Sequence, residues 1–326
     1  MSLSLKARLP VALYRYRNPL QTPLRFAGRA LTARQGLLLK FMTERGVCWG
    51  ECAPLPGFSL DTLACNQNAL LRWLDNGGVA EAEETLPTAS QFALSSGRWW
   101  AQHWPTAAMT MPSVPLLVGT PAAMWQQAQR LSAPSVVKLK LARAPLADEI
   151  HLVQRLAKRW PALRLRIDAN RGWSQAQACS FAEQVPLAAL DYVEEPCHSL
   201  AESLWVHQHT GLPLALDETT QQPDYCYQSY PGVRALVLKP TLIGSLGRLQ
   251  HLIQQAHQDE LVCVLSSSFE SNLGLHTLAA LAAWLTPTQA PGLDTLSALS
   301  YDLCQPNGWC QSRPLLFESQ LELLWQ

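Results

Sequence analysis

Apolar and charged residues alternate along the segment Val136–Leu141, which is typical of a β-strand. Lys138 and Lys140 fall on one face of this predicted strand, and apolar side chains fall on the other. Five later apolar runs also end in a polar residue: Leu163–Asp168, Leu190–Glu194, Leu212–Asp217, Ala235–Lys239 and Val262–Ser266. By subtraction of residue numbers, the polar ends counted from Lys140 follow at intervals of 22 to 28 residues. One βα unit occupies roughly 30 residues, so the pattern predicts repeated βα units with a polar side chain at each strand's carboxyl end.

The stretches between these runs carry the apolar spacing of helices, so strands and helices alternate along the chain. The predicted helices begin near Pro121 or cover Ala147–Arg159, Ser174–Val185, Leu200–Thr210, Ser245–Gln258 and Leu273–Leu285. Val114–Val118 is the predicted first strand of the series, and Gly292–Thr295 is a predicted short eighth strand. This alternation favours an α/β fold of the TIM-type (β/α) barrel class.

The alternation also predicts which side chains point into the barrel. Asp168, Asp217 and Lys239 each lie on the opposite face of their strand from its leucine residues. In a closed barrel one strand face meets the helices and the other points inward, so the ionisable residues fall inward. Charges in such a place are costly unless they are paired or bound to a metal, which makes them a candidate site.

Residues before the barrel follow a different pattern, with three predicted strands and two predicted helices. These are Leu9–Tyr16, Gly36–Met42, Gly46–Glu51, Thr62–Leu74 and Thr88–Gln102. We predict that residues 1–105 form an α+β capping domain completed by residues 305–326, and that residues 106–304 form the barrel. The segments Asn18–Ala33 and Pro54–Ser59 are predicted to cover the barrel mouth, although a rigid surface turn would also explain the second.

The charge balance and the cysteine content indicate which classes of partner and which compartment to expect for this chain. Lys+Arg and Asp+Glu both number 25, so no net charge attracts nucleic acid or an anionic membrane, and we expect a small-molecule substrate. No run of about 20 apolar residues or signal peptide is visible. The nine cysteines form no C-x-x-C pair and are odd in number, which favours reduced thiols and a cytoplasmic location. The sequence leaves the oligomeric state open, a monomer included.

Three consecutive predicted strands end in Asp168, Glu194 and Asp217. Each carboxylate alone would more often be a helix cap or a solvent-exposed group. Three oxygen ligands converging on one point suit Mg²⁺, which leaves its remaining coordination positions to water and substrate. The set at these spacings therefore predicts a magnesium site, at which Mn²⁺ could substitute.

Lys140 and Lys239 lie on the strands that flank the three carboxylates. A single buried lysine is usually an ion-pair partner. Two lysines around a metal triad suggest a base on one side of a substrate and a cation on the other.

The motifs K-L-K at 138–140, D-A-N at 168–170, E-E-P at 194–196, D-E at 217–218 and K-P at 239–240 resemble the barrel motifs of the enolase superfamily. The two-lysine arrangement is similar to its muconate-lactonizing subgroup. Longer strings resemble the family of o-succinylbenzoate synthases of menaquinone biosynthesis; they lie in Pro54–Ser59, Leu238–Leu242, Ser266–Ser271 and Pro291–Thr295. The resemblance implies an enolase-like modified (β/α)7β barrel with an N-terminal capping domain.

The same resemblance implies a syn-dehydration of 2-succinyl-6-hydroxy-2,4-cyclohexadiene-1-carboxylate to o-succinylbenzoate. Lys140 would remove the proton α to the ring carboxylate and later return it to the departing hydroxide. Mg²⁺ on the three carboxylates would hold the enediolate, and Lys239 would supply positive charge across the ring.

Five further residues are predicted to contact substrate or to support the site. Ser266 and Gly292 match family positions whose backbone holds the succinyl carboxylate, although strand-end turns would explain them too. Lys138 and Arg166 face inward one step below the site and are expected to pair with its carboxylates. Asn170 is expected just behind the metal ligands.

Three rival functions stay open at this stage. A dipeptide epimerase or N-succinylamino acid racemase would also use two lysines, but epimerases carry D-x-D at the eighth strand, where this chain has Gly292-Leu293-Asp294. A lysine Schiff-base aldolase would need one buried lysine and no acidic triad. A non-catalytic binding barrel would not need inward Lys, Asp and Glu at every one of these positions.

Overall fold

The computed structural model describes residues 10–26, 29–103, 113–222, 224–304 and 313–326. The chain begins with three antiparallel strands, β1 (Ala12–Phe26), β2 (Arg29–Thr43) and β3 (Gly46–Cys52), followed by helices α1 (Leu63–Asp75) and α2 (Thr88–Gln102). Within these ranges α2 packs on β3 and β2. The observed strands and helices give the predicted α+β arrangement of this part of the chain.

Strands β1 and β2 are longer than predicted, because both continue through the segment Asn18–Ala33. Asn18 pairs with Arg34 and Leu24 pairs with Leu31, with an irregularity between Pro19 and Leu24 that accommodates the polar and proline-containing stretch. Residues 27 and 28 lie outside the described residues. The segment is thus a β-hairpin, and its covering of the barrel mouth stays a prediction.

The following residues alternate between strands and helices. In chain order these are β4 (Leu116–Leu117), α3 (Pro121–Gln129), β5 (Val136–Lys140), α4 (Leu146–Arg159), β6 (Arg164–Asp168), α5 (Gln175–Gln184), β7 (Leu190–Glu194), α6 (Leu200–Thr210), β8 (Leu214–Leu216), β9 (Val233–Leu238), α7 (Pro240–Ile243), α8 (Leu246–Gln258), β10 (Val262–Leu265) and α9 (Asn272–Leu285). Strands β4 to β10 form a seven-stranded parallel sheet in sequential order within the described residues. The fold is the predicted barrel class. In the part of the chain that the structure describes, no helix combines the length and apolarity needed to cross a membrane.

The predicted eighth strand Gly292–Thr295 is wrong as a regular strand, because the segment forms one isolated bridge. It still joins the two edges of the barrel sheet through its backbone. The N–H of Gly292 donates to the carbonyl of Leu265 at 2.9 Å, and the N–H of Val114 donates to the carbonyl of Pro291 at 2.9 Å. At this position, backbone hydrogen bonds to Leu265 and Val114 take the place of a regular eighth strand.

The two faces of the barrel strands belong to separate apolar clusters, as the period-two pattern predicts. The face that meets the helices joins the main core, which includes Val137, Leu139, Leu165 and Ile167. The inward face holds a small cluster of its own, made by Tyr192, Ala215, Ala235 and Val237. This inner cluster lies on the same strand faces as the strand-end carboxylates, so packed side chains fill the barrel beneath them.

The end of the chain returns to the first sheet. Strands β11 (Asp302–Leu303) and β12 (Leu315–Leu316) pair with each other, and β13 (Glu322–Trp325) pairs antiparallel with β1. Residues 305–312 lie outside the described residues. The domain limits at residues 105 and 304 stay a prediction.

Arg34 ties the first sheet to the barrel. Its side chain is 1% exposed, and its guanidinium donates to three backbone carbonyls, those of Phe269 (3.0 Å), Pro54 (3.0 Å) and Ala53 (2.8 Å). Phe269 belongs to the loop that follows β10, whereas Ala53 and Pro54 follow β3 and lead into the Pro54–Ser59 loop. One side chain therefore fixes a loop from each part of the chain.

Glu51 makes a second link across the same boundary. Its buried carboxylate accepts hydrogen bonds from the hydroxyl of Tyr16 and from both the N–H (2.9 Å) and the hydroxyl (2.8 Å) of Ser271. Burial raises the pKa of Glu51 above its usual value, although the bonds from Tyr16 and Ser271 oppose this shift. The contact between the first sheet and the barrel therefore includes a network of buried hydrogen bonds and is not purely apolar.

We predict that Arg34→Met lowers stability strongly, because three backbone carbonyls, two of them in buried hydrogen bonds, lose this donor. Hydrogen bonds from a charged group are worth about 1.5–3 kcal/mol each, so a loss of at least about 3 kcal/mol is expected. Thermal unfolding measures the effect. Arg45→Met, at an exposed position in the β2–β3 turn, is the matched control and should change stability by no more than about 0.5 kcal/mol. Equal melting temperatures for the two variants would contradict the role of Arg34.

Candidate active site and metal centre

The ends of three neighbouring strands bring Asp168, Glu194 and Asp217 together. Parallel pairing sets Asp168 opposite Glu194 on β6 and β7, and Asp217 directly follows β8. The three residues are at most 1% exposed, and one carboxylate oxygen from each lies within 4.8 Å of the others. Three convergent carboxylate oxygens form a ligand set for a hard divalent cation such as Mg²⁺.

Glu195 fixes the backbone that carries Asp217. One of its oxygens accepts the N–H groups of Asp217 (3.1 Å) and Thr219 (2.8 Å), and the other pairs with Arg171 at 3.1 Å. Glu195 directly follows Glu194, has a backbone φ of 39°, and uses both of its carboxylate oxygens in these contacts. It therefore supports the site and does not belong to the metal-ligand group found among the described residues.

Three lysines lie against the triad. Lys138 Nζ is 2.6 Å from Glu194 Oε2 and 3.1 Å from Asp168 Oδ2, and Lys140 Nζ is 2.7 Å from the same Asp168 oxygen. Lys239 Nζ contacts both oxygens of Asp217, at 2.8 and 2.6 Å. Lys140 and Lys239 thus approach the triad from strands on its two sides.

The surroundings of the triad compensate the negative charge of Asp168 but not fully that of Glu194. Burial favours the neutral form of Asp168, but the charges of Lys138 and Lys140 outweigh it and hold its pKa well below the usual value. Burial raises the pKa of Glu194 to about 8; Lys138 opposes this shift, and the charges of Asp168 and Asp217 add to it. A buried acid whose charge is incompletely compensated favours binding of a further cation, so these residues fit a divalent metal.

Asn170 links Lys140 to Glu218. Its Oδ1 accepts a hydrogen bond from Lys140 Nζ at 3.0 Å, and its Nδ2 donates to Glu218 Oε1 at 3.1 Å. Arg143 also donates to Asn170 Oδ1, at 3.3 Å. The sequence pointed to Asn170 but not to its link with Glu218 or Arg143, because that link depends on distances between strands.

Phe58 of the Pro54–Ser59 loop lies beside the second lysine. Its ring centroid is 5.8 Å from Lys239 Nζ, within the range of a cation–π contact. The loop is closed by a hydrogen bond from the N–H of Leu55 to the hydroxyl of Ser59 at 2.7 Å. The N-terminal part of the chain therefore supplies an aromatic wall at the site.

The expected carboxylate contact through the backbone of Ser266 and Gly292 needs correction. The two residues are bridged as neighbours, but the N–H of Ser266 donates to the carbonyl of Leu238 and that of Gly292 to the carbonyl of Leu265, both at 2.9 Å. Both amides are therefore used in closing the barrel. The Ser266 hydroxyl, 3.3 Å from the carbonyl oxygen of Gly292, is the group that could turn to a ligand.

The prediction that Arg166 pairs with the triad is also wrong. Its guanidinium pairs with Asp191 at 3.2 Å, near the start of β7, and donates to the carbonyl of Ala290 at 2.9 Å. Lys138, at the same level in β5, instead extends toward the carboxyl ends of the strands and contacts Glu194. Arg166 thus holds the deeper part of the barrel, whereas Lys138 belongs to the triad's ion pairs.

Two protein-family profiles match the chain. The profile described as "MenC, N-terminal domain" matches residues 9–101, and the one described as "Enolase C-terminal domain-like" matches residues 120–306. Together they cover strands β1 to β3 of the first sheet and strands β5 to β10 of the barrel.

Individual proteins match over nearly the full length. An o-succinylbenzoate synthase of Pectobacterium atrosepticum is 39% identical over 97% of this chain and 99% of that protein, and one of Yersinia pestis is 40% identical over 96% and 98%. A crystal structure of o-succinylbenzoate synthase from Thermosynechococcus elongatus BP-1, complexed with Mg in the active site, has a TM-score of 0.71 and 25% identity. It covers 94% of this chain and 96% of that one.

We predict that Mg²⁺ raises the melting temperature of the protein and that Asp217→Asn largely removes this rise. A ligand at 100 times its dissociation constant stabilises the native state by about 2.7 kcal/mol, and Asn removes one of three anionic ligands. Thermal unfolding with Mg²⁺ and with EDTA measures both effects. Asp148→Asn, at an exposed position in the first turn of α4, should respond like the unchanged protein. A full Mg²⁺ response in Asp217→Asn would argue against the triad as the metal site.

Proposed function

The chain belongs to the o-succinylbenzoate synthase family of the enolase superfamily, and we propose that it dehydrates 2-succinyl-6-hydroxy-2,4-cyclohexadiene-1-carboxylate to o-succinylbenzoate in menaquinone biosynthesis. The observation that carries this proposal is the placement of Lys140 and Lys239 on the two sides of one buried carboxylate triad. Abstraction of a proton next to a carboxylate needs a base on one side and positive charge around the product anion.

Asp168, Glu194 and Asp217 are the residues that would hold Mg²⁺. Their oxygen donors, burial and incompletely compensated charge fit this ion, and Mn²⁺ would be accepted by the same donors. When bound, Mg²⁺ supplies positive charge to the oxygens of the developing enediolate.

Lys140 is the proposed base and acid. Its amine takes the proton from the ring carbon that bears the carboxylate, and the electron pair of that C–H bond moves into the enediolate. The C–O bond to the ring hydroxyl then breaks, and the ammonium of Lys140 returns the proton to the departing hydroxide, which leaves as water. Both transfers occur on one face of the ring, so the elimination is syn and the product ring is aromatic.

Lys239 is the proposed electrostatic partner on the other face. Its ammonium is held by both oxygens of Asp217 and faces the ring of Phe58, and the neighbouring carboxylates raise its pKa although burial opposes this shift. A lysine held in the charged form stabilises negative charge but is poorly suited to accept a proton. We therefore propose Lys239 as the electrostatic partner and Lys140 as the residue that transfers the protons.

The overall charge of the site suits an anionic substrate. The triad carries three negative charges and Lys138 and Lys239 carry two positive charges, whereas Lys140 is neutral when it acts as the base. A divalent cation leaves this set with an excess of one positive charge, and the proposed substrate brings two carboxylates. Such complementarity favours binding of the substrate over neutral ring compounds.

We further propose a cytoplasmic enzyme with no nucleic-acid or membrane partner. The equal numbers of acidic and basic residues give no field for either partner, and the cysteine pattern suits a reducing compartment.

Incubating the Mg²⁺-loaded protein with the cyclohexadiene substrate tests the activity directly. We expect ultraviolet absorbance and chromatography to show conversion to the aromatic dicarboxylate, and EDTA to stop it. Folded, metal-loaded protein that leaves the substrate unchanged would overturn the proposed function.

The two lysines should respond differently to the same substitution. Lys140→Arg should lose nearly all activity, because a guanidinium cannot act as the base and general acid–base help is worth about 10²–10⁴-fold per step. Lys239→Arg keeps a positive charge and should retain clearly more activity. Steady-state kcat values of the two variants give the comparison. A dead Lys239→Arg beside an active Lys140→Arg would reverse the two assignments.

A further inference from the structure

Glu218 adjoins the site but has no part in the mechanism above. It follows the ligand Asp217 in a short 3₁₀ turn, and the metal-ligand group of the described residues does not include it. Its Oε1 accepts the bond from Asn170 Nδ2, and its Oε2 is buried without a hydrogen-bond partner among the described residues. A half-buried carboxylate whose inner oxygen has no such partner calls for an explanation.

The contact selects one of two orientations of the Asn170 amide. The two ends of an asparagine amide differ only in that the oxygen accepts hydrogen bonds and the nitrogen donates them. In the observed contact Glu218 Oε1 is the acceptor, so Nδ2 faces Glu218 at 3.1 Å and Oδ1 faces Lys140 at 3.0 Å. The bond from Arg143 favours the same orientation, but it is longer, at 3.3 Å, and its side chain is exposed.

This orientation matters most when Lys140 is a neutral amine. A neutral amine has one lone pair and two N–H groups. With Oδ1 facing it, the amine donates one N–H to Asn170 and keeps its lone pair for the substrate. With the amide reversed, Nδ2 would donate to that lone pair and occupy the base.

We propose that Glu218 is a positioning residue that holds the Asn170 amide with its oxygen toward Lys140 and so keeps the lone pair of the base available. This inference rests on the role proposed for Lys140. It requires that Glu218 act through Asn170 and not through the metal ligands.

Three substitutions at two positions test it. Glu218→Ala removes the acceptor and should lower kcat about tenfold, the factor that corresponds to one ordinary hydrogen bond, with KM little changed. Glu218→Gln can still present an oxygen to Asn170 and should keep kcat within about threefold of the unchanged protein. In an Asn170→Ala background, Glu218→Ala should cause almost no further loss, because residues that act through one another are not additive.

The controls separate positioning from damage to the fold or the metal site. Glu218→Ala should keep the Mg²⁺-dependent rise in melting temperature, and Glu183→Ala, at an exposed position on α5, should keep normal kcat. An unchanged kcat in Glu218→Ala, a full tenfold loss in the Asn170→Ala background, or a lost Mg²⁺ response would each overturn the inference. No conversion by the unchanged protein would instead refute the proposed function, and with it the premise of this inference.

Discussion

The site depends on the cost of keeping three carboxylates in the interior of a barrel. Asp168, Glu194 and Asp217 are almost fully buried and close together, so their mutual repulsion must be offset by nearby positive charge. Lys138, Lys140 and Lys239 provide part of this charge, and a divalent cation would provide the rest. The triad needs nearby positive charge, and this need favours binding of a divalent metal. The same need places Lys140 and Lys239 where a base and an electrostatic partner are required.

The rest of the molecule fixes the positions of these charged side chains along the barrel axis. Apolar side chains fill the barrel beneath them, and Glu195 fixes the strand end at Asp217 through two backbone amides. From outside the barrel, Arg34 fixes the loop that carries Phe58 beside Lys239. The capping sheet thus completes the site as well as covering apolar surface.

The period-two pattern predicted the barrel and the inward direction of its charges because both follow from local alternation. The pattern could not predict toward which end of the barrel a long side chain extends. Arg166 and Lys138 lie at the same level, yet one binds near the start of β7 and the other reaches the triad. Contacts between separate strand ends, such as Asn170 with Glu218, also have no local signal, and the bonded amides of Ser266 and Gly292 became visible only with the closing bridge.

The central claim is that one substrate ring lies between Lys140 and Lys239, with its carboxylate at the metal held by the triad. A crystal structure of the protein with Mg²⁺ and o-succinylbenzoate tests this most directly. The account predicts one Mg²⁺ bonded to oxygens of Asp168, Glu194 and Asp217 and of the ring carboxylate, with the two lysines on opposite faces of the ring. A metal bound elsewhere, or both lysines on the same face, would contradict it.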